Sequence, residues 1–376
     1  MRALVVGLGV AGMAAAIALS GAGWTPVIVE RAPARRTGGY FVGLFPAGKK
    51  AASRLGVFDA MHLRTPADHR TWAVDAAGVR RRSVGFLDQP GQPEGTMRGD
   101  VEAALWDGLS PDTEIRFGTG PRSIRQAGDA VHVDLGAGPE RFDLVVGADG
   151  LRSTVRRLAF GPDERFLRPN HSVICTFSLD GPVPGYSGSD QLALVEPGRS
   201  LWIFPYRDRP PTALFAYRAR DVAAELRKDP AEALAARYAG MGGPVPWVLD
   251  RLGSAPERLF DSVQQVRMRH WHRGRVLLLG DAAWCLTLYS GMGASTGMMG
   301  AAELGDALTA EPTVARALRR WERRMRPTIR THQLIAHVKG EGFVPSSPFN
   351  HGVRRVVVGQ AAKLLIREPR PAMGLS

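Results

Sequence analysis

The run Gly7-Leu8-Gly9-Val10-Ala11-Gly12 joins a short apolar stretch, Arg2 to Val6, to an alanine-rich one, Met13 to Ser20. A strand, a glycine turn and a helix in that order make a device for holding a diphosphate. Gly7 permits the tight turn, Gly9 lets the backbone approach the phosphates, and Gly12 lets helix and strand pack closely. The helix then presents unpaired N–H groups and the positive end of its dipole to the anion. A second apolar strand, Pro26 to Val29, ends at Glu30 and Arg31, 18 residues after Gly12. A carboxylate there accepts hydrogen bonds from a ribose 2′-hydroxyl. The chemistry is dinucleotide binding, and these residues alone leave open which dinucleotide.

Two later stretches repeat a strand that closes on an aspartate. Asp143 to Gly150 ends in Ala148-Asp149-Gly150 and continues into Leu151-Arg152-Ser153; Asp149 there either faces a ligand cleft or caps a turn. Arg275 to Ala283 ends in Gly280-Asp281, and Gly291-Met292-Gly293-Ala294 follows ten residues later. In order and spacing the three segments resemble the class A FAD-dependent monooxygenases, the group of p-hydroxybenzoate hydroxylase and the tetracycline-degrading enzymes. The resemblance implies FAD as cofactor. It places Asp149 beside the FAD pyrophosphate, Asp281 on the ribityl chain, and the N–H groups around Met292 and Ala294 at the pyrimidine edge of the flavin. Reduction makes that edge negative, and oriented amide donors stabilise it. Arg36, with Arg35 as a competing choice, and Arg98, in Met97 to Val101, match two further arginine positions of the family. Taken singly, either arginine reads equally as a surface residue.

The same resemblance implies the reaction. NADPH or NADH reduces the flavin, O2 is captured as a C4a-hydroperoxide, and one oxygen atom passes to an aromatic or polycyclic substrate. The flavin carries the chemistry, so no protein acid or base is assigned and the catalytic residues stay unknown. A flavin dehydrogenase, reductase or halogenase on the same fold, or a non-catalytic flavin-binding protein, are the alternatives. The chain departs from the family pattern after Gly280-Asp281-Ala282-Ala283, where it has Trp284, and at Leu288, where a proline is usual. Leucine restores an N–H and backbone freedom that proline removes, so either the oxygen pocket is reshaped for an unusual substrate, which is the favoured expectation, or the hydroperoxide is poorly protected and the protein serves a different redox task.

The elements that must position these residues follow from the 376-residue length, which calls for two lobes sharing one ligand site. The expected fold is α/β: a Rossmann-like FAD-binding lobe (residues 1–69, 95–170 and 260–310) interleaved with an antiparallel β-sheet substrate lobe (70–94 and 171–259). C-terminal helices fill 311–376, and a basic, apolar helix from Gly352 to Ile366 is expected to pack back on the cofactor lobe. In the substrate lobe, strands are expected at Val173 to Leu179, Gln191 to Glu196, Leu201 to Tyr206 and Thr212 to Tyr217, separated by Pro and Gly turns. Trp202, Phe204 and Tyr206 alternate, as do Phe215 and Tyr217, which puts aromatic side chains on one face as pocket wall or core. Together with Leu288 these are the substrate-pocket candidates.

Composition excludes several classes. The formal charge of +13 gathers in Arg316, Arg319, Arg320, Arg323, Arg324, Arg326 and Arg330, interrupted by Ala317, Leu318, Trp321 and Met325, which is the pattern of a solvated helix face. No nucleic-acid module accompanies it, and no run reaches the roughly 18 apolar residues of a membrane span. Neither nucleic acid nor membrane is therefore an expected partner. Cys175 and Cys285 stand far apart in apolar runs, consistent with a cytoplasmic setting. His270 and His272 have no nearby carboxylate or cysteine in sequence, so no metal site is expected. A monomer or homodimer is expected.

Overall fold

The computed structural model describes residues 1–35, 38–89, 91–255 and 257–365. Its chain divides into two compact units: Met1–Arg64, Pro93–Ser172 and Ser262–Lys339 form the first, and Thr65–Gln92, Val173–Asp261 and Gly340–Ser376 the second.

The first unit is built on a six-stranded sheet. Its order is His272–Arg273, Val276–Leu278, Leu144–Gly147, Arg2–Val6, Thr25–Glu30, Glu114–Phe117. All neighbours run parallel except the His272–Arg273 edge. The central strands are apolar throughout because both faces are covered, as a parallel sheet requires. Ala3, Leu4 and Val5 have no solvent exposure. The helices Val10–Gly21 and Gly293–Ala310 pack on one another through small residues. A Cβ on Gly305 would lie 2.9 Å from the Ala18 carbonyl oxygen, so only glycine allows that approach. On another side of this core, Trp271, Trp284 and Trp321 cluster with ring centroids 4.6 to 6.0 Å apart. The Trp321 indole donates to the Gly300 carbonyl.

The second unit holds a seven-stranded sheet: Arg258–Val266, Leu167–Ser178, Thr212–Arg218, Arg199–Phe204, Asp190–Glu196, Arg70–Val74, Arg80–Ser83. The expected meander is present from Asp190 to Arg218, and the sheet also contains one parallel pair, Gln191 opposite Thr71. The register corrects the reading of the aromatics. Leu201 lies opposite Phe215 and Arg199 opposite Tyr217, whereas Trp202 lies opposite Leu214 and Phe204 opposite Thr212. Directly opposed residues share a face, so Phe215 and Tyr217 point away from Trp202 and Phe204. They enter a core with Leu192, Leu194, Leu234, Tyr238 and Val248. There Tyr238 meets Phe215 edge-on at 4.7 Å and its hydroxyl donates to the Ser200 and Ala216 carbonyls. Phe215 and Tyr217 are thus structural core, and only Trp202, Phe204 and Tyr206 of the five remain on the other side of the sheet or just past its strand.

The last helix runs from Pro348 to Leu365 and also corrects the expectation, because its contacts are with strands of the second unit. The Arg354 guanidinium lies over Trp202, 5.6 Å from its centroid, and fixes it there.

Candidate functional site

The start of the Val10–Gly21 helix is left open. Its N-cap is Gly9, without a side chain to cap it, and its first turn has no acidic residue. Unsatisfied N–H groups of a first turn need an external acceptor, and the dipole favours an anion. A Cβ on Gly12 would stand 1.9 Å from the Gly7 carbonyl oxygen, so Gly12 is required by packing. At Gly9 the nearest atoms would be Arg98 Nη2 at 3.7 Å and Glu102 Oε1 at 3.9 Å. The Arg98 guanidinium therefore stands beside the open helix end. Glu30 braces the turn: its two carboxylate oxygens accept from the Leu8 and Ala32 N–H groups, both at 2.9 Å. Arg31 is exposed, and Arg36 lies outside the described residues. Arg35 stacks over Trp106 at 4.9 Å.

The two aspartates arrive on neighbouring parallel strands, with Gly147 paired to Leu278. Asp149 is used locally. Its carboxylate accepts from the Ser153 hydroxyl at 2.5 Å and the Thr154 and Val155 N–H groups at 2.6 and 3.1 Å, closing the start of the next helix. Asp281 is the first residue of a short helix and is exposed. Burial by surrounding protein nevertheless pushes its carboxyl up, with Arg98 pulling it down. A group that water reaches while protein crowds it sits on the wall of a concavity. Tyr40 and Glu102 complete the surroundings of Arg98. Glu102 pairs with it at 2.8 Å, and Tyr40, whose phenol is raised mainly by burial, hydrogen-bonds to it. Nothing in the sequence pattern singled out these two residues, since their positions depend on tertiary contacts.

A second open helix end belongs to Gly293–Ala310. Met292 is its N-cap and provides no side-chain cap, no acid lies in the first turn, and Gly293 is exposed. The preceding loop is held from several directions. Thr287 takes a positive φ of 75°, a conformation that a β-branched residue keeps only where surroundings enforce it, and Gly291 one of 67°, which glycine adopts without strain. Ser290 Oγ donates to the Thr287 carbonyl and accepts from the Met292 N–H. Lys339 Nζ donates to the Ser290 carbonyl at 3.3 Å. The Gly280 turn and the second turn of the Gly293–Ala310 helix pack against Ala11, near the start of the Val10–Gly21 helix: a Cβ on Gly280 would lie 2.8 Å, and one on Gly297 3.5 Å, from its methyl group.

Two further readings change. Trp284 has no solvent exposure and fills the tryptophan cluster, so its departure from the family pattern is a packing matter in the core. Leu288 is half-buried in a single 3₁₀ turn, Leu288–Ser290. His270 and His272 do gain a carboxylate in space, Glu322, at 3.4 and 3.6 Å. Arg326 and the Trp271 N–H occupy the same carboxylate. Among the described residues no group of His, Cys, Asp and Glu is arranged to hold a metal ion.

Two uncapped helix ends, Arg98 beside the first of them and an accessible aspartate suit a ligand with a diphosphate and hydroxyl groups, which is the chemistry of FAD. Residues 1–319 match the profile of a family described as FAD binding domain. The chain belongs to this family of class A flavin monooxygenases. An uncharacterized protein of Mycobacterium tuberculosis (strain ATCC 25618 / H37Rv) is 32% identical over 329 residues, covering 82% of this chain and 86% of its own. A flavin-dependent monooxygenase from an unknown prokaryotic organism is 28% identical, over 92% of this chain and 90% of its own. The flavoprotein also superimposes on the crystal structure of tetracycline destructase Tet(55) with a TM-score of 0.80 and 26% identity, covering 98% of each chain.

Proposed function

We propose that this chain is an FAD-dependent monooxygenase that consumes NADPH or NADH and O2 and places one oxygen atom on an aromatic or polycyclic organic molecule. The observation that carries the reading is the pair of open helix ends, with Arg98 beside the first, on two helices that pack together at Ala11. Bound FAD supplies electron transfer from the nicotinamide to O2 and the oxygen transfer itself. The N–H groups of Gly9, Val10 and Ala11 and the Arg98 guanidinium would bind the diphosphate, with Glu30 directed to the ribose. Asp281 would hold the ribityl hydroxyls. The N–H groups of Met292, Gly293 and Ala294 would face the edge that gains negative charge on reduction. Asp149 shapes the turn beside them and has no spare role in proton transfer.

Trp202 and Phe204 form a buried aromatic layer, their rings within 8° of parallel and 6.5 Å apart, with Phe86 edge-on to Phe204 at 6.3 Å and Trp202 covered by Phe343 and Arg354. A fused-ring substrate would stack on this layer with Phe343 and Arg354 moved aside. Tyr206 is hydrogen-bonded to Thr212 at 2.9 Å, which keeps its ring in place. The named activity of the destructase relative makes tetracyclines the first probes.

The test is purification followed by turnover. The protein is expected to be yellow, to release intact FAD on denaturation, and to convert a polycyclic probe to a product heavier by one oxygen atom derived from isotopically labelled O2. A protein that neither carries FAD nor takes it up overturns the cofactor reading. Bound FAD with nicotinamide oxidised and no labelled product from any probe favours a dehydrogenase instead.

A further inference from the structure

Soluble helices turn their apolar side inward and their polar side to water. The Pro348–Leu365 helix leaves a row of large apolar side chains on its outer side. Its inner edge is mixed, with Val358, Ala361 and Ala362 following Asn350, His351 and Arg354, and its polar members tie it down: Asn350 donates to Glu341 at 2.8 Å and to Ser346 at 2.9 Å, and Arg354 donates to the Gly342 carbonyl at 2.7 Å while covering Trp202. Burial lowers Arg354 to about 10. The outer edge carries Phe349, Val353, Val356, Val357 and Leu364, spaced as successive turns of one helix face and from 47% to 77% exposed. Among the described residues, all exposed large apolar side chains except Met1, Val79 and Leu158 fall from Leu334 to Leu365. The hydrogen bonds on the inner edge prevent the helix from rolling over to hide this stripe.

The charge carried by the helix itself has one sign. The helix carries Arg354, Arg355 and Lys363 and no acidic residue, on a chain of net charge +13. Two copies of it laid stripe to stripe would bring two cationic helices together. An apolar strip with exposed cations beside it matches the interface of an anionic bilayer, where the strip enters the acyl boundary and the cations meet headgroup phosphates. We propose that the outer face of the Pro348–Leu365 helix is a reversible docking surface for an anionic lipid membrane. This departs from the expectation, drawn from the lack of a spanning segment, that no membrane is a partner; docking needs no span. Nothing in the inference depends on the reaction assigned above. If that reaction is right, the helix lies over Trp202, on the sheet face proposed for an apolar substrate.

The experiment is sedimentation of the full-length protein, as purified, with vesicles of phosphatidylcholine alone or mixed equally with phosphatidylglycerol. The protein is expected to pellet at least about tenfold more with the anionic vesicles, and added salt should release it. Val353→Asp with Val357→Asp should abolish pelleting while circular dichroism stays unchanged. Arg355→Gln or Lys363→Gln, which leave the stripe intact, should each weaken it about fivefold. Equal or absent binding to the two vesicle types overturns the proposal. So does a dimer, seen by light scattering, that Val353→Asp with Val357→Asp dissolves, since a second copy would then own the stripe.

Discussion

Asp149 and Asp281 end adjacent parallel strands of one sheet, in turns of nearly the same composition, and the fold uses them in opposite ways. Asp149 stands five residues ahead of its helix, so the chain folds back and gives it Ser153, Thr154 and Val155 as donors. Asp281 is the first residue of its helix, where a side chain does not cap its own turn, and it is left facing outward with Arg98 nearby. Gly12 and Gly9 divide likewise: one is filled by the neighbouring backbone, the other is open beside a guanidinium. A motif therefore contains positions that finish the protein and positions that wait for a ligand. The distance to the next helix tells the two aspartates apart.

The comparison breaks if the closed and open positions respond alike. The largest effect is expected at Gly9. Gly9→Ala should fold normally, because its Cβ would meet nothing closer than 3.7 Å, whereas Gly9→Glu should fold and retain no FAD, its carboxylate taking the place of the diphosphate and pairing with Arg98. Flavin absorbance of the purified variants reads this directly; a yellow Gly9→Glu protein would remove the helix end from the site. Next, Asp281→Ala should lose about tenfold to a hundredfold in FAD affinity, the range for a hydrogen bond to a charged group, with its melting temperature kept. Asp149→Ala should do the converse, losing about 1–2 kcal/mol of stability as a lost cap does, with the smaller change in affinity. Flavin titration beside thermal melts separates the pair.

The smallest effect sharpens the same contrast through pH. Burial raises the Asp281 carboxyl above its unfolded value. Such a group contributes its full stability below the unfolded pKa, and that contribution is lost as pH rises towards the folded pKa, because the unfolded state ionises first. Asp281→Asn cannot ionise, so without FAD it should melt no lower than the parent at neutral pH, and the two melting curves should converge in acid. A variant that is less stable at neutral pH would make Asp281 a structural group.

The motifs and the α/β architecture were legible because each lies within a short stretch whose turn chemistry and apolar pattern are local. What the sequence hid depends on partners far along the chain. The strand alternation identified Phe215 and Tyr217 correctly as a same-face pair, yet only the register against Arg199–Phe204 shows that this face is the one covered by Tyr238 and Leu234. Trp284 looked like a change beside the flavin because its neighbours in sequence are there; its neighbours in space are Trp271 and Trp321. His270 and His272 acquired Glu322 from a helix some fifty positions later. Tyr40 and Glu102 had no pattern to mark them until Arg98 was placed between them.

The discontinuity of the first unit has a consequence for synthesis. Arg2–Val6 is made shortly before Thr25–Glu30 and can pair with it at once, but its other neighbour, Leu144–Gly147, comes much later and Val276–Leu278 later still. Until then the growing sheet shows an unpaired apolar edge, a template for wrong pairing. The helix Gly293–Ala310, which lies against Val10–Gly21, arrives when most of the chain has already been made. The two helix ends proposed to hold the ligand are thus made far apart in time. Slow, high-separation assembly of this kind makes newly made protein the species most exposed to aggregation.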